Sequence, residues 1–169
     1  MKEKTEIRPL RLSDKVELAR LANNKNIWNN LRDHIPFPYE EDDAEIFITL
    51  TIEEEPQRTF GIAHNGQLSG IIGLVLQKDV YQKSAEIGYW IGEPFWGKGI
   101  ATKAVELISE YAFDKLNLNR IYTGVFEYNI ASMKVLEKNG FKKEGVFKNA
   151  IFKNGKVCDE HRFYRLNEK

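Results

Sequence analysis

Gly97-Lys98-Gly99 stands between a strand-like stretch and a helix-like one, and those residue types at such a junction suit a phosphate. Ser84 to Ile91 is apolar-rich, with the β-formers Ile87, Tyr89, Trp90 and Ile91, and predicts a strand. From Ile100 the apolar spacing predicts a helix. The start of a helix leaves backbone N–H groups without intrahelical partners at the positive end of its dipole. Glycines let an anion come close to those groups, so the junction points to a pyrophosphate-bearing ligand. The plain alternative is a tight strand-to-helix turn that holds nothing. Glu86 interrupts the same apolar strand and is the general-base candidate. Its plain alternative is a strand carboxylate that is exposed or paired with a lysine such as Lys83.

Gly92-Glu-Pro-Phe-Trp-Gly97-Lys98 also matches the first seven positions of a nucleoside-triphosphate P-loop. The eighth position of that motif is Ser or Thr, which holds magnesium, and here it is Gly99. Pro94 removes a further N–H from the cradle. A P-loop is therefore not expected. His34, His64 and His161 show no metal-ligand spacing, so no metal is expected. Cys158 has no catalytic partner adjacent in sequence and reads as a structural thiol.

The elements that position these residues follow from local patterns. Thr5 to Leu10 predicts an edge strand with Pro9 near its end. Ser13 is the expected cap of a helix carrying Val16, Ala19 and Leu21. Residues 26–32 predict a short helix, which the two prolines of HIPFP (34–38) end. Tyr39 to Glu53 predicts a helix, acidic at its start and apolar at Ala44, Phe47, Ile48 and Ile52. Arg58 to Ala63 and Leu68 to Gln77 flank an Asn65-Gly66 turn and predict a hairpin. The helix after the glycines runs from about 99 to 115. Asn119 to Phe126 predicts a strand, and Asn129 caps a helix that ends at Gly140. A second hairpin turns at Asn154-Gly155. The order is that of an α/β (α+β) protein with a mixed sheet and helices packed on it. No linker interrupts residues 1–169, so one domain is expected.

The chain has 25 basic and 25 acidic residues and no net charge, which favours neither nucleic acid nor an anionic membrane. From the polar start MKEKTEIRPL no signal peptide is expected, and no apolar run reaches the ~18 residues of a membrane span. With a single cysteine, these features predict a cytoplasmic protein.

The run WGKGIA at 96–101, after a strand and before a helix, resembles the acetyl-CoA pyrophosphate loop of the GNAT superfamily of N-acetyltransferases. Trp96 stands where most of the family has Gln or Arg, a departure shared by the branch resembling the RimJ/RimL ribosomal-protein acetyltransferases. That branch is also similar in the EIGYW strand at 86–90 and in the series Asn129, Ser132, Leu136, Gly140 and Phe141. IPFPY at 35–39 is similar to the segment on its acceptor side. The likeness covers about residues 5–167.

The resemblance implies a mostly antiparallel, splayed central sheet of about six or seven strands flanked by helices. It implies direct transfer of an acetyl group from acetyl-CoA to a primary amine, either a peptide N-terminus or a small molecule. Glu86 becomes the base and Ser132 the proton donor to the leaving sulfur, with Leu136 where many relatives carry a tyrosine. A serine so near a helix start serves its own backbone as readily. Tyr89, Trp90, Ile91 and Asn129 become contacts of the pantetheine arm. Trp96, Gly97, Lys98, Gly99, Ile100, Ala101 and Thr102 become the pyrophosphate loop. Trp28, Arg32, Phe37 and Tyr39 become the acceptor wall, with core and lid packing as their plain alternative. A homodimer is implied by relatives, and a non-catalytic acyl-CoA-binding sensor is the other reading of the same fold.

Overall fold

Asn-Gly pairs close two hairpins, with φ of 51° and 82° at Asn65 and Gly66 and of 52° and 74° at Asn154 and Gly155. Two consecutive left-handed residues match the twist of the flanking strands. The structure is a computed structural model that describes residues 4–168. Its strands are β1 (Thr5–Arg8), β2 (Thr59–His64), β3 (Gln67–Leu76), β4 (Ser84–Ile91), β5 (Arg120–Phe126), β6 (Lys142–Lys153) and β7 (Lys156–Leu166). Its helices are α1 (Lys15–Ala22), α2 (Lys25–Trp28), α3 (Glu41–Ile52), α4 (Ile100–Asp114) and α5 (Ile130–Lys138). The seven strands follow the order β1-β2-β3-β4-β5-β7-β6. β1 with β2, β2 with β3, β5 with β7 and β6 with β7 pair antiparallel, and β4 with β5 pairs parallel. The result is a mixed α/β fold with a mostly antiparallel sheet flanked by helices. The chain divides into two compact units, interleaved in sequence.

The first unit runs up to Gly73 and adds Tyr89–Ala104. Its core joins Leu18, Ala19 and Ala22 of α1 to Ala44 and Ile48 of α3 and to Leu68 and Ile71 of β3. The first turn of α3 is acidic, and the Glu40 N–H donates to the Asp43 carboxylate at 2.9 Å. Charge at the helix start and a buried stripe of Ala44, Ile48 and Thr51 outweigh the β-branched run that follows. α2 begins one residue before the expected 26–32, where the Asn24 side chain caps it by accepting from the Asn26 N–H at 2.8 Å, and it ends at Trp28.

Ser13 does not cap α1. Leu12–Asp14 forms a 3-10 turn, and the Asp14 carboxylate takes the Arg11 N–H at 2.8 Å. The same carboxylate accepts two bonds from the Arg8 guanidinium, at 2.7 and 2.8 Å, one on each oxygen, a charged two-pronged pair that a serine hydroxyl cannot form. Val16 lies off the buried face and is exposed. Burial by itself raises the pKa of Asp14, but the bonds from Arg8 and Arg11 outweigh it and hold the carboxyl below its ordinary range. A depressed folded-state value means the stabilisation is complete above the unfolded value and is lost as pH falls through the folded one. Asp14→Asn is expected to cost about 2 kcal/mol at neutral pH. In urea titrations the gap to wild type should narrow below about pH 4. A gap that stays constant down to the acid transition would show that the ion pair contributes nothing.

The second unit holds Leu74–Gly88 and the chain from Val105 onward. On β5, Ile121, Thr123 and Val125 are buried, while Tyr122, Gly124 and Phe126 are half-buried on the opposite face. Phe163 of β7, opposite Thr123, is buried, as are Val105 and Ile108 of α4 and Met133 and Leu136 of α5. Gly140 follows α5 with φ 75°, the left-handed stop expected of it.

Candidate functional site

In the first unit β4 ends at Ile91, and a 3-10 turn at Glu93–Phe95 carries Pro94. The Trp96 indole N–H reaches back to the Ile91 carbonyl at 2.7 Å, which ties the loop to the end of the strand. The side chain at the Gln/Arg position thus acts on the backbone at the end of β4. Gly97 and Gly99 have φ of 74° and 73°, and a Cβ built at either meets nothing within 4 Å. Glycine is required there by backbone conformation, not by crowding, and the space beside both residues is open. Lys98 is exposed, with its ammonium 5.5 Å from the centre of the Phe95 ring.

Ile100 is buried and anchors the start of α4. The Lys103 N–H bonds to the Gly99 carbonyl at 3.1 Å, so Ile100, Ala101 and Thr102 form the first turn. Gly97 to Thr102 therefore offers backbone amides and a cation beside an open cradle, the donor set that a pyrophosphate requires. The Gly92 N–H bonds to the Ser69 carbonyl at 2.8 Å. A Cβ at Gly70 of β3 would overlap the Trp90 carbonyl, so that carbonyl faces β3. Alternation along β4 turns the backbone of Tyr89 and Ile91 the other way. Trp90 packs its half-buried ring against the core of the unit.

The expected acceptor wall is also in this unit. The Trp28 indole donates to the Ile35 carbonyl at 2.9 Å and closes the loop after α2. Its ring lies 5.6 Å from that of Phe37, which is exposed, as is Arg32. Tyr39 is turned the other way, into the core beside Ala44 and Ile48. Burial, helped by Asp43, pushes its phenol up to about 12. Nothing in the local pattern separates Tyr39 from Phe37, since both follow or precede a proline in one short segment.

A cavity of about 360 Å³ is lined by Arg20, Leu21, Asn23, Asn24, Glu93 and Pro94. The Glu93 carboxylate accepts from the Asn24 and Asn26 side chains at 2.6 and 3.1 Å, and these bonds hold it below the usual carboxylate range. Asn24 and Glu93 are 69 residues apart, so no spacing rule signals this contact.

In the second unit Glu86 is half-buried and in parallel register with Tyr122 of β5. Lys83 donates to the Asn117 carbonyl at 3.0 Å. Asn129 caps α5, its side-chain oxygen accepting from the Ser132 N–H at 3.3 Å. Ser132 is half-buried in the first turn of that helix. Leu136, one turn on, is fully buried in the core. Among the described residues no group of three His, Cys, Asp or Glu is arranged to hold a metal ion. No helix among them is long and apolar enough to cross a membrane.

The profile of the acetyltransferase (GNAT) domain matches residues 4–142. A probable N-acetyltransferase of Bacillus subtilis, YjcK, is 40% identical over 112 residues, which is 65% of this chain and 61% of that protein. Three such curated relatives are matched over 48% to 61% of their own length. The spermidine N-acetyltransferase of Vibrio cholerae, solved with CoA and spermine, is 29% identical with a TM-score of 0.81, over 96% of this chain and 95% of that one. Mycobacterium smegmatis RimJ, solved with CoA-disulfide, shares the fold at a TM-score of 0.86 and 24% identity, over 97% of this chain and 82% of that one.

Proposed function

The chain belongs to the acetyltransferase (GNAT) family, and from that premise we propose that it moves an acetyl group from acetyl-CoA directly to a primary amine, with both bound together. The observation that carries this reading is the loop at Gly97 and Gly99, with two left-handed glycines, open space beside each and a helix start behind. Acetyl-CoA supplies an acetyl group activated as a thioester. The amides of Gly97, Lys98, Gly99, Ile100, Ala101 and Thr102 hold the pyrophosphate, and the Lys98 ammonium adds charge. Trp96 holds the loop in shape through Ile91. Tyr89 and Ile91 offer backbone groups to the pantetheine arm, and Asn129 contributes its amide.

Glu86 takes the proton that the amine must lose as its N–C bond forms, directly or through a water. As the C–S bond breaks, the Ser132 hydroxyl donates a proton to the sulfur. Leu136 has no proton to give, and its burial keeps a tyrosine from standing there without repacking. Trp28, Arg32 and Phe37 wall the acceptor, and Tyr39 supports that wall from within the core. The likeness to a spermidine acetyltransferase supports a small cationic amine over a peptide N-terminus as the acceptor.

Calorimetric titration with acetyl-CoA, with magnesium-ATP as the control, tests the reading. Micromolar binding of acetyl-CoA and none of ATP is expected. Gly97→Ala with Gly99→Ala should weaken acetyl-CoA at least about tenfold, because L-residues pay to hold a left-handed backbone. No heat from acetyl-CoA with the wild-type protein would overturn the assignment of the loop. The buried Leu136 favours one other reading, a sensor that binds acyl-CoA without turnover. Thiol release with any amine of a broad panel would end that alternative.

A further inference from the structure

Glu86 shares its face of the sheet with a carboxylate that no sequence pattern marks. Parallel register sets Glu86 of β4 beside Tyr122 of β5, and antiparallel register sets Gly124 opposite Arg162 and Phe126 opposite Glu160 of β7. Side chains alternate along a strand, so Glu86, Tyr122, Gly124, Glu160 and Arg162 project on one side. The Arg162 guanidinium lies 5.2 Å from the centre of the Tyr122 ring, which agrees with that placement.

Glu160 does not stand over its own neighbour. A Cβ added at Gly124 would overlap the Glu160 carboxyl, so the carboxyl lies across β5, one strand nearer to Glu86. Glycine at 124 is what leaves it room. Two residues beyond Glu86, Gly88 is exposed, and a Cβ built there meets nothing within 4 Å. The face is thus open on β4 and carries a fixed carboxyl over β5. Arg162 Nη1 donates to Glu160 at 2.8 Å, and the Glu160 side chain is 12% exposed. A carboxylate has about four acceptor sites, so one guanidinium N–H leaves it able to bind a further cation. Shielding from water strengthens that attraction.

We propose that Glu160 is a specificity-determining residue that holds a second positive charge of the acceptor while Glu86 serves the reacting amine. The favoured acceptors are diamines and polyamines, with a cationic centre a few bonds from the nitrogen acetylated. This rests on the reading of Glu86 given above. The carboxyl is placed by Gly124 and oriented by Arg162, and neither residue touches the acceptor.

Two variants separate charge from position. Glu160→Gln removes the charge, and Gly124→Ala keeps it but displaces the carboxyl. Spermidine is titrated calorimetrically into wild type and both variants, and kcat/KM is measured for propane-1,3-diamine against butylamine. Both variants should weaken spermidine binding at least about tenfold, on the scale of a lost bond to a charged group. The diamine-to-monoamine ratio of kcat/KM should fall about as far. Unchanged spermidine affinity, or an equal loss for both amines, would overturn the assignment. Acetyl-CoA titrated into the same samples keeps the questions apart. Its failure to bind would defeat the transferase reading, while the spermidine titration still decides the role of Glu160.

Discussion

Glu86→Gln is expected to lower the turnover number at neutral pH at least tenfold, and by about a hundredfold on the usual scale of acid–base catalysis. The amide keeps the size of the carboxylate and can still hydrogen-bond, but it cannot take a proton at neutral pH. Glu86 is half-buried on the face that Tyr122 shares, with Ala85 and Ile87 buried on either side of it. That setting fixes the strand and leaves the carboxylate on the less covered face. The deficit should appear in kcat far more than in the KM for acetyl-CoA, because the proton moves only as the amine attacks. Thiol-release kinetics with spermidine and a saturating thioester give both constants. Turnover equal to wild type would remove Glu86 from the mechanism and leave it as a strand carboxylate.

Phe163→Ala is expected to destabilise the fold by about 3–5 kcal/mol, the cost of emptying a core aromatic site. Phe163 is 1% exposed and sits between Thr123 of β5 and Lys143 of β6. It is flanked on β7 by Arg162 and Tyr164, whose side chains take the opposite face. For a chain of this length each kcal/mol shifts the melting temperature by about 2–4 °C, so thermal denaturation should show a drop of roughly 6–20 °C. A drop of about a degree would mean that β5 and β6 close over the vacated space.

Some of the candidate site was legible because single backbone states govern it. Gly97 and Gly99 are glycines for their positive φ, a property of each residue alone. Asn129 caps α5 through a bond three residues away. Other residues of equal chemical promise could not be ranked in that way. Phe37 and Tyr39 lie two positions apart, yet one is exposed and the other is core. Ile46 and Leu50 of α3 are apolar and exposed, so hydrophobicity alone did not predict which side of that helix was covered.

The sequence by itself determined the two Asn-Gly hairpins, the strand at Ser84–Ile91, the glycine loop with α4 behind it and the capped α5. Each depends on conformational preferences and spacings within a few residues, which a linear pattern records. Only the tertiary structure decided that Asp14, and not Ser13, stands directly before α1 and turns its carboxylate to Arg8 of β1. Only it turned the Trp90 carbonyl toward Gly70, closed Glu93 against Asn24, and laid Glu160 across Gly124 toward the face of Glu86. These arrangements join strands and loops far apart in the chain. Their energies come from register, close backbone approach and shared burial, which exist only once the sheet has formed.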